Sequence, residues 1–209
     1  MSGLLIIGAG GNGRVIADLA SNSARWDRIE FLDDDPEVAS SSTEFPVIGG
    51  CDEFESLASR FDGVVIGFGD NRTRSQWHER VRAHGCPLPC IIAPSATVSD
   101  RCSTGPGCVV MPQAVVNVGA VLGACVLINT AATVDHDCVL GDSVHVSPGA
   151  NLGGEVRVGP RSWLGIGCSV RHSIRIGSDV VVGAGASVVC DLEDGVTVVG
   201  VPARPIPAG

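Results

Sequence analysis

From Val98 onward the hydrophobic positions recur every six residues. The series runs Val98, Thr104, Val110, Val116, Leu122, Ile128, Val134 and Leu140, and continues through Val146, Leu152, Val158, Leu164, Val170, Ile176 and Val182 to Val188; only Thr104 is not aliphatic. Four residues after each member comes a small or aliphatic side chain, from Cys102, Cys108 and Ala114 through Cys138, Ser162 and Cys168 to Leu192. Glycine often follows the aliphatic position directly, as at Gly123, Gly141, Gly159, Gly165, Gly177 and Gly183. A period of six does not fit a helix, which needs 3.6, and sustained self-similarity of this kind marks a repeat architecture. Three hexads make one triangular coil with the aliphatic residue inside each flat face and the small residue near each corner. The pattern predicts a parallel β-helix whose stacked coils pair their backbones with the coils above and below. Cys102, Cys108, Cys138 and Cys168 then fall in the small interior slot, as core residues and not as ligands or nucleophiles.

The first 94 residues follow a different pattern. Strand-like Leu4–Ile7, Glu30–Leu32, Gly63–Gly67 and Leu88–Ile92 alternate with helix-like Asn12–Ser21, Asp52–Ser59 and Arg72–His84. Alternation in this order predicts a small parallel sheet with helices on its faces. His78 and His84 are expected to face solvent on an amphipathic helix. Two domains result: a Rossmann-like α/β unit over 1–94, and a β-helix with a C-terminal tail over 95–209.

Composition narrows the chemistry. Of 209 residues 44% are hydrophobic, yet only 4% are aromatic, so the core must be built from Val, Ile, Leu, Ala and Cys. A net charge of −9 argues against nucleic acid or a membrane surface as partner, since both are polyanionic. All fourteen basic residues are Arg, which excludes Schiff-base, pyridoxal-phosphate and Walker-lysine chemistry. Nine scattered cysteines without a CxxC pair, a four-residue apolar start too short for an export signal, and no membrane-length apolar run predict a cytoplasmic protein with reduced thiols.

Gly8, Gly10 and Gly13 fit G-x-G-x-x-G after a strand and before a helix, with acidic residues about twenty positions on. That pattern places a phosphate at a helix N-terminus. Ninety-four residues hold too few strands for two mononucleotide-binding halves, so a single nucleotide fits better than a dinucleotide.

The segments Ile7–Val15, Phe31-Leu32-Asp33-Asp34, Gly67–Arg72, Asn129-Thr130, Val134-Asp135-His136-Asp137-Cys138, His145–Gly149 and Gly200–Arg204 together resemble one family over nearly the whole chain. It is the hexapeptide-repeat sugar acyltransferase family of sialic acid O-acetyltransferases and bacillosamine N-acetyltransferases. The resemblance implies a left-handed coil, a homotrimer, and acetyl-CoA as co-substrate bound in the groove between neighbouring β-helices. It implies His136 as general base with Asp137 orienting the ring, and His145, Gly154, Ile166 and Ala184 as acetyl-CoA contacts. It gives nucleotide-sugar contacts to Gly10, Gly11, Asn12, Asp33 and Asp34. No resident metal is implied. Arg161, Arg171, Arg175 and Arg204 are candidates for CoA phosphates. Asn12 stands where the family has histidine, Arg14 where lysine is common, and Ala93 where a histidine often precedes proline; these departures bear on the identity of the sugar and nucleotide.

The activity this implies is N-acetylation of an amino group, at the 4-position, on a nucleotide-linked deoxy sugar, by direct attack in a ternary complex. O-acetylation of a sugar hydroxyl, as in sialic acid, would use the same residues. A zinc carbonic anhydrase on this fold would need three convergent histidines, and the spacing of His136, His145 and His172 does not resemble that family's. A scaffold that only binds nucleotide sugar would lack acetyl-CoA binding.

Overall fold

In the computed structural model, which describes residues 2–35 and 44–206, the apolar run Gly3–Ile7 forms strand β1, buried on both faces. Such a run suits the middle of a parallel sheet covered on either side. Helix α1 (Gly11–Ser21) follows, then strands β2 (Arg28–Leu32) and β3 (Val47–Gly49), the short helix α2 (Phe54–Leu57) between two 3₁₀ turns, strand β4 (Gly63–Ile66) and helix α3 (Asn71–His84). The sheet is parallel throughout in the order β3-β2-β1-β4. Leu5, Ile7, Leu32 and Val64 pack with Phe54, Ala58, Phe61 and Val81 in one core cluster.

Three sequence expectations for this region need correction. Strand β3 went unpredicted: at three residues between Pro46 and Gly50 it has no periodicity of its own, and it forms by pairing with β2. The expected last strand at Leu88–Ile92 does not join this sheet. Only Ile91–Ile92 is extended, and it edges a sheet of the β-helix instead. Ile92 lies six residues before Val98, so it belongs to the hexad series. Finally, His78 is buried, at 7% exposure, not solvent-facing. The inward side of α3 carries Asn71, Arg74, His78 and Val81, a largely polar stripe that apolar periodicity cannot reveal. Arg74 explains the polarity: its guanidinium donates to the carbonyls of Phe68 and Gly69 (3.2 and 2.9 Å) and to Asn71 Oδ1 (2.7 Å). It thereby holds the loop after β4. His84 is exposed.

The chain divides into two units, Met1–Ile91 and Ile92–Gly209. The second is a left-handed β-helix in which residues eighteen apart are register partners. Face I stacks Val121–Leu122, Val139–Leu140, Arg157–Val158 and Arg175–Ile176. Face II stacks Leu127–Ile128, His145–Val146, Trp163–Leu164 and Val181–Val182. Face III stacks Thr133–Val134, Asn151–Leu152, Ser169–Val170 and Ser187–Val188. The second residue of each pair points inward and is buried, as the hexad series requires.

From residue 107 to residue 185 each corner turns through one residue of positive φ immediately before the small interior side chain. Gly takes the position at 107, 119, 149, 167 and 185, and ordinary residues at 113, 125, 131, 137, 143, 155, 161, 173 and 179. The left-handed region is uncommon for non-glycine residues, and here the coil imposes it every six residues. The glycines after the inward aliphatic have another cause. At Gly105, Gly123, Gly141, Gly159 and Gly177, along the corner from face I to face II, a β-carbon would run into the backbone of the next coil.

Cys108, Cys138 and Cys168 are fully buried in the small slot, whereas Cys102, in the partly open first coil, is half-buried. Burial pushes the Cys138 and Cys168 thiols up to about 11, which makes them poor nucleophiles. The period fails at the end of the stack. Ile176 bridges to Leu192 and Val182 pairs with Val198, sixteen residues on instead of eighteen. Leu192 therefore aligns with an inward face position and not with the corner slot that the hexad count gives it. Thr197–Val199 then pairs antiparallel with Arg204–Ile206 and closes the sheet.

Candidate active site

His136 lies on the corner between faces III and I, in the turn from Thr133–Val134 to Val139–Leu140. Its ring is half exposed. Asp137 occupies the corner's left-handed position at φ 58°, a conformation that aspartate tolerates better than most residues. His136 Nδ1 lies 2.9 Å from Asp137 Oδ2. A carboxylate only accepts, so the imidazole donates here and Nε2 carries the lone pair. The His136 backbone N–H donates to Asp135 Oδ1 (2.7 Å), which also receives the Asn117 amide (2.8 Å). The hydrogen bond to Asp137 and the charges of Asp135, Asp137 and Glu155 hold the His136 pKa above its ordinary value.

The neighbouring coils leave room for this pair. A β-carbon on Gly154, one coil beyond His136, would overlap the imidazole at Nε2. One on Gly119, a coil before Asp137, would overlap its carboxylate. Glycine at 154 thus leaves space for the imidazole, and Gly119 leaves space for the carboxylate while also taking its own corner's left-handed position. Glu155, which accepts from the Ser173 hydroxyl (2.8 Å), lines a groove beside this corner with Asp137, Arg157, Ser173 and Arg175.

The other expected acetyl-CoA contacts lie elsewhere on the same chain. His145 is on face II, stacked on its register partner Trp163 with ring centroids 6.3 Å apart and planes 24° apart. Its Nε2 is 3.2 Å from Asn129 Nδ2. Ile166 and Ala184 are exposed neighbours on successive coils at the corner between faces II and III. One chain therefore groups His136, Asp137 and Gly154 on one corner, and His145, Ile166 and Ala184 on another face and corner. Trp163, 46% exposed, was not anticipated from sequence; its position eighteen residues after His145 was the available signal. Of the candidate arginines, Arg161 is engaged in a bidentate pair with Asp179 (2.9 and 2.6 Å). Arg171, Arg175 and Arg204 are exposed.

In the first unit, β1 ends at Gly8 with φ 97°, and α1 begins at Gly11 with no side chain capping its N-terminus. Gly13 and Gly67 both crowd the Gly8 carbonyl so closely that neither has space for a β-carbon. Gly10 and Gly11 face open space. Helix N-terminal N–H groups without a cap suit an anionic group. The Asn12 amide donates to the Gly67 carbonyl (3.0 Å). Asp33 accepts the N–H groups of Ala9 (2.6 Å) and Asp35 (2.8 Å), and Asp34 accepts that of Cys51 (2.7 Å). Both carboxylates thus fix the loops around the α1 N-terminus.

Residues 3–81 match the family model described as the PglD N-terminal domain. Among solved structures, the acetyltransferase domain of PglB from Neisseria gonorrhoeae FA1090 in complex with acetyl coenzyme A shares 46% identity over 98% of each chain, with a TM-score of 0.94. PerB from Caulobacter crescentus, in complex with CoA and GDP-perosamine, shares 36% identity over 99% of this chain and 98% of its own, with a TM-score of 0.93. WeeI from Acinetobacter baumannii AYE shares the fold at 24% identity, covering 99% of this chain and all of its own, with a TM-score of 0.88. A comparison with curated proteins gave no match. Repeat, corner histidine and whole-length likeness agree, and the chain belongs to the hexapeptide-repeat sugar N-acetyltransferases of the bacillosamine and perosamine type.

Proposed function

We propose that this protein transfers the acetyl group of acetyl-CoA to an amino group, at C4, of a nucleotide-linked amino-deoxy sugar. The observation that carries this reading is the corner pair His136–Asp137, whose Nδ1 bond to the carboxylate leaves Nε2 as a base beside Gly154. The sugar amine attacks the thioester carbonyl, His136 Nε2 takes the proton from nitrogen, the C–S bond breaks, and the His136 imidazolium gives up its proton as CoA leaves as the thiol. Base catalysis of this kind lowers the barrier by roughly 3–5 kcal/mol. The Gly154 N–H, one coil on, is suited to stabilise the developing oxyanion. The buried cysteines take no part.

Two similar structures are described as perosamine N-acetyltransferase variants, which favours an amine over a hydroxyl acceptor. One is a perosamine N-acetyltransferase variant with a histidine replaced by asparagine, held with CoA and GDP-perosamine. In the present chain the uncapped α1 N-terminus, with Gly10, Gly11 and Asn12, is suited to the diphosphate or sugar. Asp33 and Asp34 keep lone pairs for a ribose or base. His145, Ile166 and Ala184 are assigned to acetyl-CoA. Because they lie on a different face and corner from His136, a complete site draws on two chains in our reading, and we assign a homotrimer working in the cytoplasm.

The test is thiol release from acetyl-CoA with a panel of nucleotide amino sugars, and with free sialic acid as the hydroxyl control. Wild-type protein acetylates an amino sugar, and His136→Ala lowers kcat by about 10²–10⁴. Full activity in that variant, or transfer to the hydroxyl substrate alone, overturns the proposal.

A further inference from the structure

Two histidines of the β-helix, His136 and His145, are wired in opposite senses. His136 has an acceptor at Nδ1, the Asp137 carboxylate, and so presents a lone pair at Nε2. His145 has a primary amide at Nε2, and the orientation of that amide decides which ring nitrogen bears the proton.

Asn129 Oδ1 accepts the Thr130 backbone N–H at 2.8 Å and also lies 3.4 Å from the Thr130 hydroxyl. That bond requires the oxygen on the Thr130 side and turns the NH₂ toward His145 Nε2, 3.2 Å away. An amide nitrogen donates and does not accept. Nε2 of His145 must therefore be the acceptor, and a neutral imidazole then carries its proton on Nδ1. On the next coil Trp163 stacks on the same ring. Its indole N–H donates to Ser147 Oγ at 2.6 Å, and Ser147 is only 1% exposed, so the indole is pinned although 46% of it faces solvent. A tryptophan so exposed is no core filler. Its ring instead sets the plane of its neighbour.

We propose that Asn129 and Trp163 are positioning residues that hold His145 as the neutral Nδ1–H tautomer, its Nε2 lone pair engaged by an amide, so that it is no base and leaves proton removal to His136. This rests on the assignment of His145 to acetyl-CoA. One corner thus supplies the base, and face II carries a histidine whose Nε2 lone pair is already engaged. The division of labour follows from a carboxylate on Nδ1 of one ring and an amide on Nε2 of the other.

The experiment is a long-range ¹H–¹⁵N correlation spectrum of full-length protein labelled in its histidines, near neutral pH, with His145→Gln identifying the resonances. The expected result is an unprotonated Nε2 and a protonated Nδ1 for His145. Asn129→Asp keeps the Thr130 bond but sets a carboxylate oxygen against Nε2, and should move the proton onto that nitrogen. Trp163→Ala should mix the tautomers and raise KM for acetyl-CoA by up to about tenfold, the worth of one ring stack, with KM for the sugar unchanged. Trp163→Phe keeps the stack and should retain the wild-type tautomer. A wild-type His145 protonated on Nε2, an unaltered pattern in Asn129→Asp, or an unchanged acetyl-CoA KM in Trp163→Ala overturns the proposal. The spectrum needs no turnover, so a protein without acetyl transfer would sink the function and still report on the stack.

Discussion

Gly154 stands so close to Nε2 of His136 that any β-carbon there would overlap the imidazole. Its φ lies outside the left-handed range, so the glycine answers a need for space and not for backbone freedom. Gly154→Ala should displace the ring from its bond to Asp137 and lower kcat by about 10² or more, at the lower end of what a positioned base contributes. Because the ring moves toward solvent and not into the core, the thermal midpoint should stay close to wild type. Steady-state kinetics beside a melting curve separate these outcomes; equal kcat would show that the ring is not the base.

Asp137 should set the pH range of the proposed reaction. Its hydrogen bond is the largest influence raising the His136 pKa, followed by the charges nearby. A raised pKa keeps more of the ring as imidazolium at neutral pH, so kcat/KM should climb with pH through that value. Asp137→Asn removes the charge, and the acid limb should shift to lower pH. The plateau should fall as well, because an asparagine can turn its NH₂ toward the ring and no longer specifies the Nδ1–H tautomer. A pH–rate profile of both proteins checks the direction. An unmoved limb would detach Asp137 from the base.

The separation of His136 from His145 within one chain makes a prediction about assembly. His136→Ala and His145→Ala proteins should each be poorly active. Mixed trimers, formed by co-expression, should regain activity at interfaces that pair an intact His136 of one chain with an intact His145 of another. Light scattering should give three copies. No recovery, in trimers shown to contain both variants, would mean that each chain holds a whole site.

In the first unit, Gly13 and Gly67 share the space around the Gly8 carbonyl. Gly13→Ala must push α1 away from β1, at a cost of about 1–3 kcal/mol for overpacking. It should also raise KM for the nucleotide sugar while leaving that for acetyl-CoA alone. Chemical denaturation and two-substrate kinetics test both halves of this statement.

The sequence was informative wherever a feature repeats. Eighteen residues per coil place Gly154 against His136 and Trp163 against His145 by counting alone, and the buried aliphatic column follows from the same arithmetic. Local patterns failed where pairing or polar packing decides structure. Val47–Gly49 is a strand because β2 offers it partners. His78 is buried because the inward stripe of α3 includes an arginine that holds a loop. Leu192 changes place because the last coil is two residues shorter.

The chemistry divides in the same way. Sequence by itself determined the repeat, the interior, and which histidines sit on the coil. Tertiary structure alone decided which groups face the rings of His136 and His145. A proton's position depends on the donor or acceptor facing it, and those partners come from adjacent side chains and neighbouring turns whose orientation no periodicity records.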